Sequence, residues 1–417
     1  MSAATTTAVS PSRKTAVFLG VLAIASVLLF VVGRRAGVTT FRIASPSDFV
    51  QIAPIAVPAV GAGLVTTLVT LAAAVWGLLT VRRGARVPRW LPAVSGGVFV
   101  LGFLAWAAVD GTVALTGLLV SAVGLSVPLV FGALGGVVSE RVGVINVAIE
   151  GQLLAGAFTS AVVASVAGSP LAGLVGAVLA GVLVSLLLAL FAIRFRVDQV
   201  IVGIVLNVLV TGLTGFLFAM VLVPNSATLN SPERFDPISI PLLSKIPVIG
   251  PVLFQQTIIV YLVYVAVAVA FVALFRTRWG LRVRAVGEHP QAADTVGIKV
   301  GRTRLVNVVI AGAIAGLGGA YFTLGSVGAF QKDMTAGMGF IALAAVIFGR
   351  WDPVRATLAA LLFGFAGSVQ YALGAVGSPV PSEFMLMLPY LVTVVAVVGF
   401  AGKTSGPAAL GEPYASR

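Results

Sequence analysis

The sequence predicts an all-α, polytopic membrane protein with ten to twelve transmembrane helices, and three observations predict it. Of the 417 residues, 59% are hydrophobic and 9% charged, whereas soluble domains are about half apolar and a quarter charged. One core cannot hide that much apolar surface from water, so lipid has to be the main solvent. The apolar residues gather into eleven runs, near 16–33, 53–80, 91–109, 112–137, 144–167, 170–193, 200–223, 251–275, 305–327, 356–374 and 384–401, most of them close to the roughly 20 residues that cross hydrocarbon. If each run crosses once from a cytosolic N-terminus, 20 of the 26 Lys and Arg residues fall inside, as the positive-inside rule requires.

Taken in order, the first run follows Arg13 and Lys14 but ends at Arg34 and Arg35, where signal cleavage would need small residues. It therefore reads as a retained first helix. The second run stops at the basic cluster Arg82, Arg83, Arg86 and Arg89, and Asp110 separates the third from the fourth. The fifth contains Glu150, and the seventh leads into a Pro-, Ser- and Asn-rich external segment, 224–250. Between the eighth and ninth runs, residues 276–304 hold seven basic side chains and face the cytosol. A shorter run, Gly337 to Gly349, has 13 residues, too few to span, and reads as a half-helix or re-entrant segment. All five tryptophans lie near run ends, in the manner of an aromatic belt. Gly143-Val-Ile-Asn-Val-Ala148 is echoed by Gly339-Phe-Ile-Ala-Leu-Ala344. The charge pattern has these two entering from opposite sides, which suggests an inverted repeat with the substrate route at its interface.

Composition narrows the chemistry. With no cysteine and a single histidine, His289, there is no thiol catalysis and no ligand set for a metal, and no cofactor is expected. The net charge of +13 is dispersed between apolar runs, which fits topology and not a nucleic-acid face. Gly402-Lys403-Thr404 mimics the end of a phosphate loop, but Val397 stands where its first glycine belongs. No Ser/His, paired-Asp or metal constellation suggests a membrane-embedded enzyme.

Of the carboxylates, only Glu150 lies within a run as drawn above. A stand-alone secondary carrier or channel for a small neutral solute is the alternative function, but an ion-coupled carrier normally buries several ionisable groups. Glu150 either belongs to a path or bonds a neighbouring helix end. The polar residues Asn146, Gln152, Asn207, Asn307, Gln370 and Tyr371 either join helices by hydrogen bonds or line a solute route. Gly132-x-x-x-Gly136 and Gly312-x-x-x-Gly316 have the spacing of close helix contacts.

In the basic loop, Pro290 suits the first position of a helix and Gly297 its end. This short helix is expected to turn Ala292, Ala293 and Val296 toward the cytosol. It either docks in a partner's groove or is a solvated loop.

Three stretches, FGALGGVVSERVGVINVAIEGQLLAGAF (131–158), GLRVRAVGEHPQAADTVGIKV (280–300) and IAGAIAGLGGAYFTL with GMGFIALAAVIFGRWDPVRATLAALLFG (310–364), resemble the ABC importer permeases of the branched-chain amino acid and ribose superfamily. The wording SERVGVINVAIEG and GFIALAAVIFGRW is most similar to the purine nucleoside and simple sugar branch. The resemblance implies a permease domain over 111–402, preceded by extra helices in 1–110 and followed by a cytosolic tail, 403–417. It implies a non-enzymatic translocation subunit of a bacterial inner membrane, with both termini cytosolic. A second permease, identical or paralogous, an ABC ATPase chain and an extracytoplasmic substrate-binding lipoprotein would complete the importer. The stretch 287–297 would be the coupling helix, with Gly287, Glu288, Pro290, Ala292, Ala293 and Gly297 meeting the ATPase. Asn146, Glu150, Asn207, Phe340 and Gln370 are the candidates for the path of a nucleoside or simple sugar.

Overall fold

The computed structural model describes residues 13–44, 52–88, 90–377 and 406–415, with a few single positions between 380 and 390. Ten helices among them are long and apolar enough to cross a membrane, matching ten of the eleven runs. The eleventh, 384–401, lies outside the described residues but for a few positions before 391. The chain divides into two compact units, one of residues 1–119, 245–248 and 366–402, the other of 120–244, 249–365 and 403–417.

In the first unit, helices α1 (Arg13–Ser26, continued by a π-helical turn to Val32), α2 (Ala59–Arg82) and α3 (Trp90–Ala107) pack together. Their sequences carry almost no amphipathic stripe, because lipid and helix neighbours are equally apolar. What distinguishes the inner face is small and hydroxylated side chains. Thr70 bonds Ser26 between α2 and α1 at 3.0 Å, and Gly102 of α3 makes room for Thr66. Strands β1 (Val38–Arg42), β2 (Ile55–Pro58) and β3 (Thr112–Ala114) close one end as a sheet of order β2-β1-β3, antiparallel then parallel. The alternating hydrophobic pattern of so short a sheet is invisible among apolar runs.

In the second unit, α4 (Leu115–Arg141), α5 (Ile149–Ala167), α6 (Pro170–Ala189), α7 (Gln199–Leu217) and, after the single turn α8 (Ser226–Leu229), α9 (Ile258–Arg276) are followed by the short pair α10 (Arg278–Glu288) and α11 (Pro290–Thr295). Then come α12 (Val300–Ala320, extended by a π-helical stretch to Val327), α13 (Met338–Phe348) and α14 (Pro353–Ala375), whose residues from 366 on belong to the first unit. Helices α5, α6 and α12 form the core of this unit. Gly181, Gly312 and Gly316 let α6 and α12 approach until backbone meets backbone, since a Cβ at any of them would overlap the partner helix. The other glycine pair, Gly132 and Gly136 on α4, is capped by Ala342 and Val346 of α13.

Two expectations change. The fourth run continues as helix to Arg141, so Glu140 is a second carboxylate within a spanning helix. It is 2% exposed and accepts the indole N–H of Trp351 at 2.5 Å. The fifth run begins as helix only at Ile149; residues 142–148 lead into it without forming a helix of their own. The 13-residue run is confirmed as a half-length helix, α13, of 11 residues.

Candidate functional site

The non-helical stretch 142–148 exposes backbone amides and carbonyls that a helix would have satisfied, and in hydrocarbon each orphan costs several kcal/mol. Side-chain amides meet the demand. The Ile145 N–H donates to Gln199 Oε1 at 2.7 Å. Asn207 of α7 accepts the Gly151 N–H and donates to the Val147 carbonyl, both at 2.8 Å. Asn146 and Gln152 bond each other at 3.1 and 3.3 Å, and Gln152 also donates to Ser185 of α6 at 2.9 Å.

Glu150 sits in the first turn of α5 and reaches the start of α13. Its carboxylate accepts the Thr335 hydroxyl at 2.6 Å and the Gly337 N–H at 2.9 Å on one oxygen, and the Gly339 N–H at 2.5 Å on the other. A buried carboxylate carries a desolvation cost of several kcal/mol. Three charge-assisted bonds and the positive ends of two helices, α5 and α13, oppose that cost. This approach requires glycine twice: Gly337 adopts φ +81°, and a Cβ at Gly339 would strike the Glu150 backbone. The echoed segments differ in conformation, 143–148 being non-helical and 339–344 lying within α13, but α5 and α13 begin side by side, joined by the Glu150 side chain.

Beside this junction opens a cavity of about 470 Å³, lined by Glu150, Asn207 and Phe340, by Ile204, Val208, Thr211 and Gly212 of α7, and by Asp333 and Gly337. Three of the five sequence candidates for a path meet there. Asn146, fully buried, is not among the lining residues, because its side-chain amide is bonded to that of Gln152. Gln370 lies in the other compact unit. Phe330, another aromatic of the segment before α13, is core: 1% exposed, it stacks edge-on against Phe158 and Phe218. Thr211 and Asp333 were missed. Thr211 was legible as the residue one turn beyond Asn207 on the same helix face; Asp333 looked like any loop carboxylate.

The second constellation is the pair α10–α11. Thr277 caps α10 by accepting the Gly280 N–H at 3.1 Å, Pro290 opens α11, and Gly297 ends it at φ +85°. The expected small face is corrected. Ala293 is 3% exposed and Pro290 and Gly287 are buried, while Ala292 and Gly297 are exposed and Val296 is 75% exposed. A six-residue helix turns one side to the protein beneath it, and Ala293 is on that side. Gly287 is needed for a different reason: a Cβ there would overlap the Arg141 carbonyl.

Residues 118–397 match the family described as branched-chain amino acid transport system / permease component. The guanosine ABC transporter permease protein NupQ of Bacillus subtilis is 42% identical over 298 residues, 69% of this chain and 92% of that protein. The nucleoside ABC transporter permease protein NupC of Lactococcus lactis is 40% identical over 298 residues, 69% and 93% of the two chains. A putative glucose ABC transporter permease protein of Haloferax volcanii is 34% identical over 303 residues, 68% and 91%. No solved structure matches the chain. With two thirds of its length matched and ten apolar spanning helices, the chain belongs to this family of ABC importer permeases.

Proposed function

We propose that this permease moves purine nucleosides inward through the cavity between α5, α7 and the 333–340 segment, driven by ATPase subunits on separate chains. The observation that carries the reading is the junction itself. It puts a carboxylate, an amide, a hydroxyl and the Phe340 ring around one opening in otherwise apolar surroundings. Phe340 offers a face for a purine, and Thr211 and Asp333 offer partners for ribose hydroxyls. Identity above 40% to a guanosine permease ranks nucleoside ahead of sugar; the glucose relative keeps a simple sugar as the second reading.

The alternative of an ion-coupled carrier is weakened by Glu150, whose oxygens already hold three donors and are poorly placed to take up a coupling ion. The cavity is open on one side, and a second permease, identical or paralogous, would complete its wall. A substrate-binding lipoprotein outside would supply affinity that so weakly polar a route does not. We read α11 as the coupling helix, with Ala292, Val296 and Gly297 toward the ATPase, in a bacterial inner membrane with both termini cytosolic. Residues 1–110 precede the family match and form an addition to the transport domain.

Deleting the gene should abolish uptake of labelled guanosine and adenosine at low concentration and leave branched-chain amino acid uptake intact. Surviving nucleoside uptake with lost glucose or pentose uptake would select the sugar reading. Orientation is tested with single cysteines in this cysteine-free chain: an impermeant reagent on intact cells should label Ser231→Cys and not Thr295→Cys.

A further inference from the structure

Residues 406–415 lie across the junction of three elements in the second unit. Pro407 and Ala409 are buried, and Gly406 packs on the Trp351 ring. From this segment, the Ala409 N–H donates to the Gly287 carbonyl at 2.9 Å and the Ala408 N–H to Glu288 Oε2 at 3.2 Å, both at the end of α10. The Tyr414 hydroxyl donates to Asp294 Oδ2 at 2.8 Å, within α11. The Gly411 N–H donates to the Gly143 carbonyl at 3.1 Å, and Arg304 Nη1 of α12 donates to the Glu412 carbonyl at 2.8 Å.

The segment thus bonds the end of α10, Asp294 of α11 and Gly143 at the start of 142–148. Gly143 is held at φ +90°, and Gly411 sits against the Ile145 side chain. From Ile145 the connection continues through named bonds: Ile145 to Gln199, Val147 and Gly151 to Asn207, and Glu150 at the cavity.

We propose that residues 406–415 form a strap that ties α11 to the 143–145 segment, so that a displacement of α11 reaches the cavity wall through the strap as well as through α12. The proposal rests on the reading of α11 as the coupling helix. Tyr414 is then a positioning residue: it touches neither solute nor nucleotide, and holds the helix that receives the force. Arg304 supports a permanently docked strap. It is 3% exposed with Nε and Nη2 unpartnered, and the Glu412 carbonyl supplies the bond its guanidinium does have.

The test uses the assembled importer with its ATPase and binding protein. Deleting 406–415 should lower the maximal rate of nucleoside uptake about tenfold, and Tyr414→Phe, which removes one of its bonds, about threefold. The KM for uptake and the basal ATPase rate should stay unchanged, while stimulation of ATPase by loaded binding protein falls in parallel with uptake. A purely structural role would lower all of these together with the amount of permease in the membrane. Docking is read separately by thiol labelling of the solubilised complex. Exposed Ala408→Cys should react quickly and buried Ala409→Cys slowly, and equal rates would overturn the strap even where the deletion variant does not fold. Normal uptake by both strap variants, with Ala292→Trp inactive, would overturn the strap and leave the coupling helix standing. Normal uptake by Ala292→Trp would instead remove the coupling reading on which the strap depends.

Discussion

The two helix starts that meet at the cavity solve one physical problem in two ways. Before α5, residues 142–148 form no helix, and neutral amides of α7 meet part of their backbone demand: Gln199 accepts the Ile145 N–H and Asn207 donates to the Val147 carbonyl. Before α13, the orphan N–H groups of Gly337 and Gly339 are met by a single carboxylate, Glu150. The first arrangement is distributed, so that each partner holds one or two bonds. The second is concentrated, and its charge is favourable because a helix N-terminus is itself partly positive. A distributed network degrades piece by piece, whereas a concentrated one fails at once.

That difference orders the effects of substitution. Glu150→Ala should be the most damaging, leaving two buried N–H groups and the Thr335 hydroxyl without their acceptor, a loss of about 2–4 kcal/mol. Purified permease should show a clearly lowered thermal midpoint, with nucleoside uptake abolished. Glu150→Gln should recover only part of this, because one carboxamide position presents N–H to N–H; full recovery by Gln would show that charge at the α13 start is dispensable. Asn207→Ala should cost about 2 kcal/mol, the penalty for orphaning the Gly151 N–H and the Val147 carbonyl. As Asn207 also lines the cavity, uptake should fall further than the stability loss alone explains. Ser185→Ala should have the smallest effect, about 0.5–1 kcal/mol, because Gln152 Nε2 retains Asn146 Oδ1 as acceptor at 3.3 Å. A Ser185→Ala loss as large as that of Glu150→Ala would erase the distinction between the two starts.

Much of this was legible along the chain, for reasons that particular residues make plain. Span lengths follow from hydrocarbon thickness, so runs such as 170–193 and 200–223 reappear as helices within a few residues. Met338–Phe348 was too short to cross and is a half-helix. The polar residues of the site were also visible, since an amide or carboxylate stands out where nearly everything else is apolar. Their division of labour was not. Asn146 and Asn207 look alike in sequence, yet one is sealed into the α5–α6 network and the other reaches the cavity. Ala292 and Ala293 are adjacent and identical, yet only Ala292 is free to meet a partner. Residues 403–417 read as a tail, because Gly406, Pro407 and Gly411 carry no periodic signal.

The sequence by itself determined the solvent, the approximate placement of the spanning helices, the family and the short list of polar side chains from which a site could be built. Each of these is a local or compositional property: hydropathy over some twenty residues, charge at run ends, motif wording. Only the tertiary structure decided that the fifth run breaks at 142–148, that Glu150 caps α13, that Glu140 is buried beside Trp351, and that 406–415 straps α11 to Gly143. Those outcomes depend on which backbone groups are left without partners once the helices pack, and on which distant side chain then lies within about 3 Å of them.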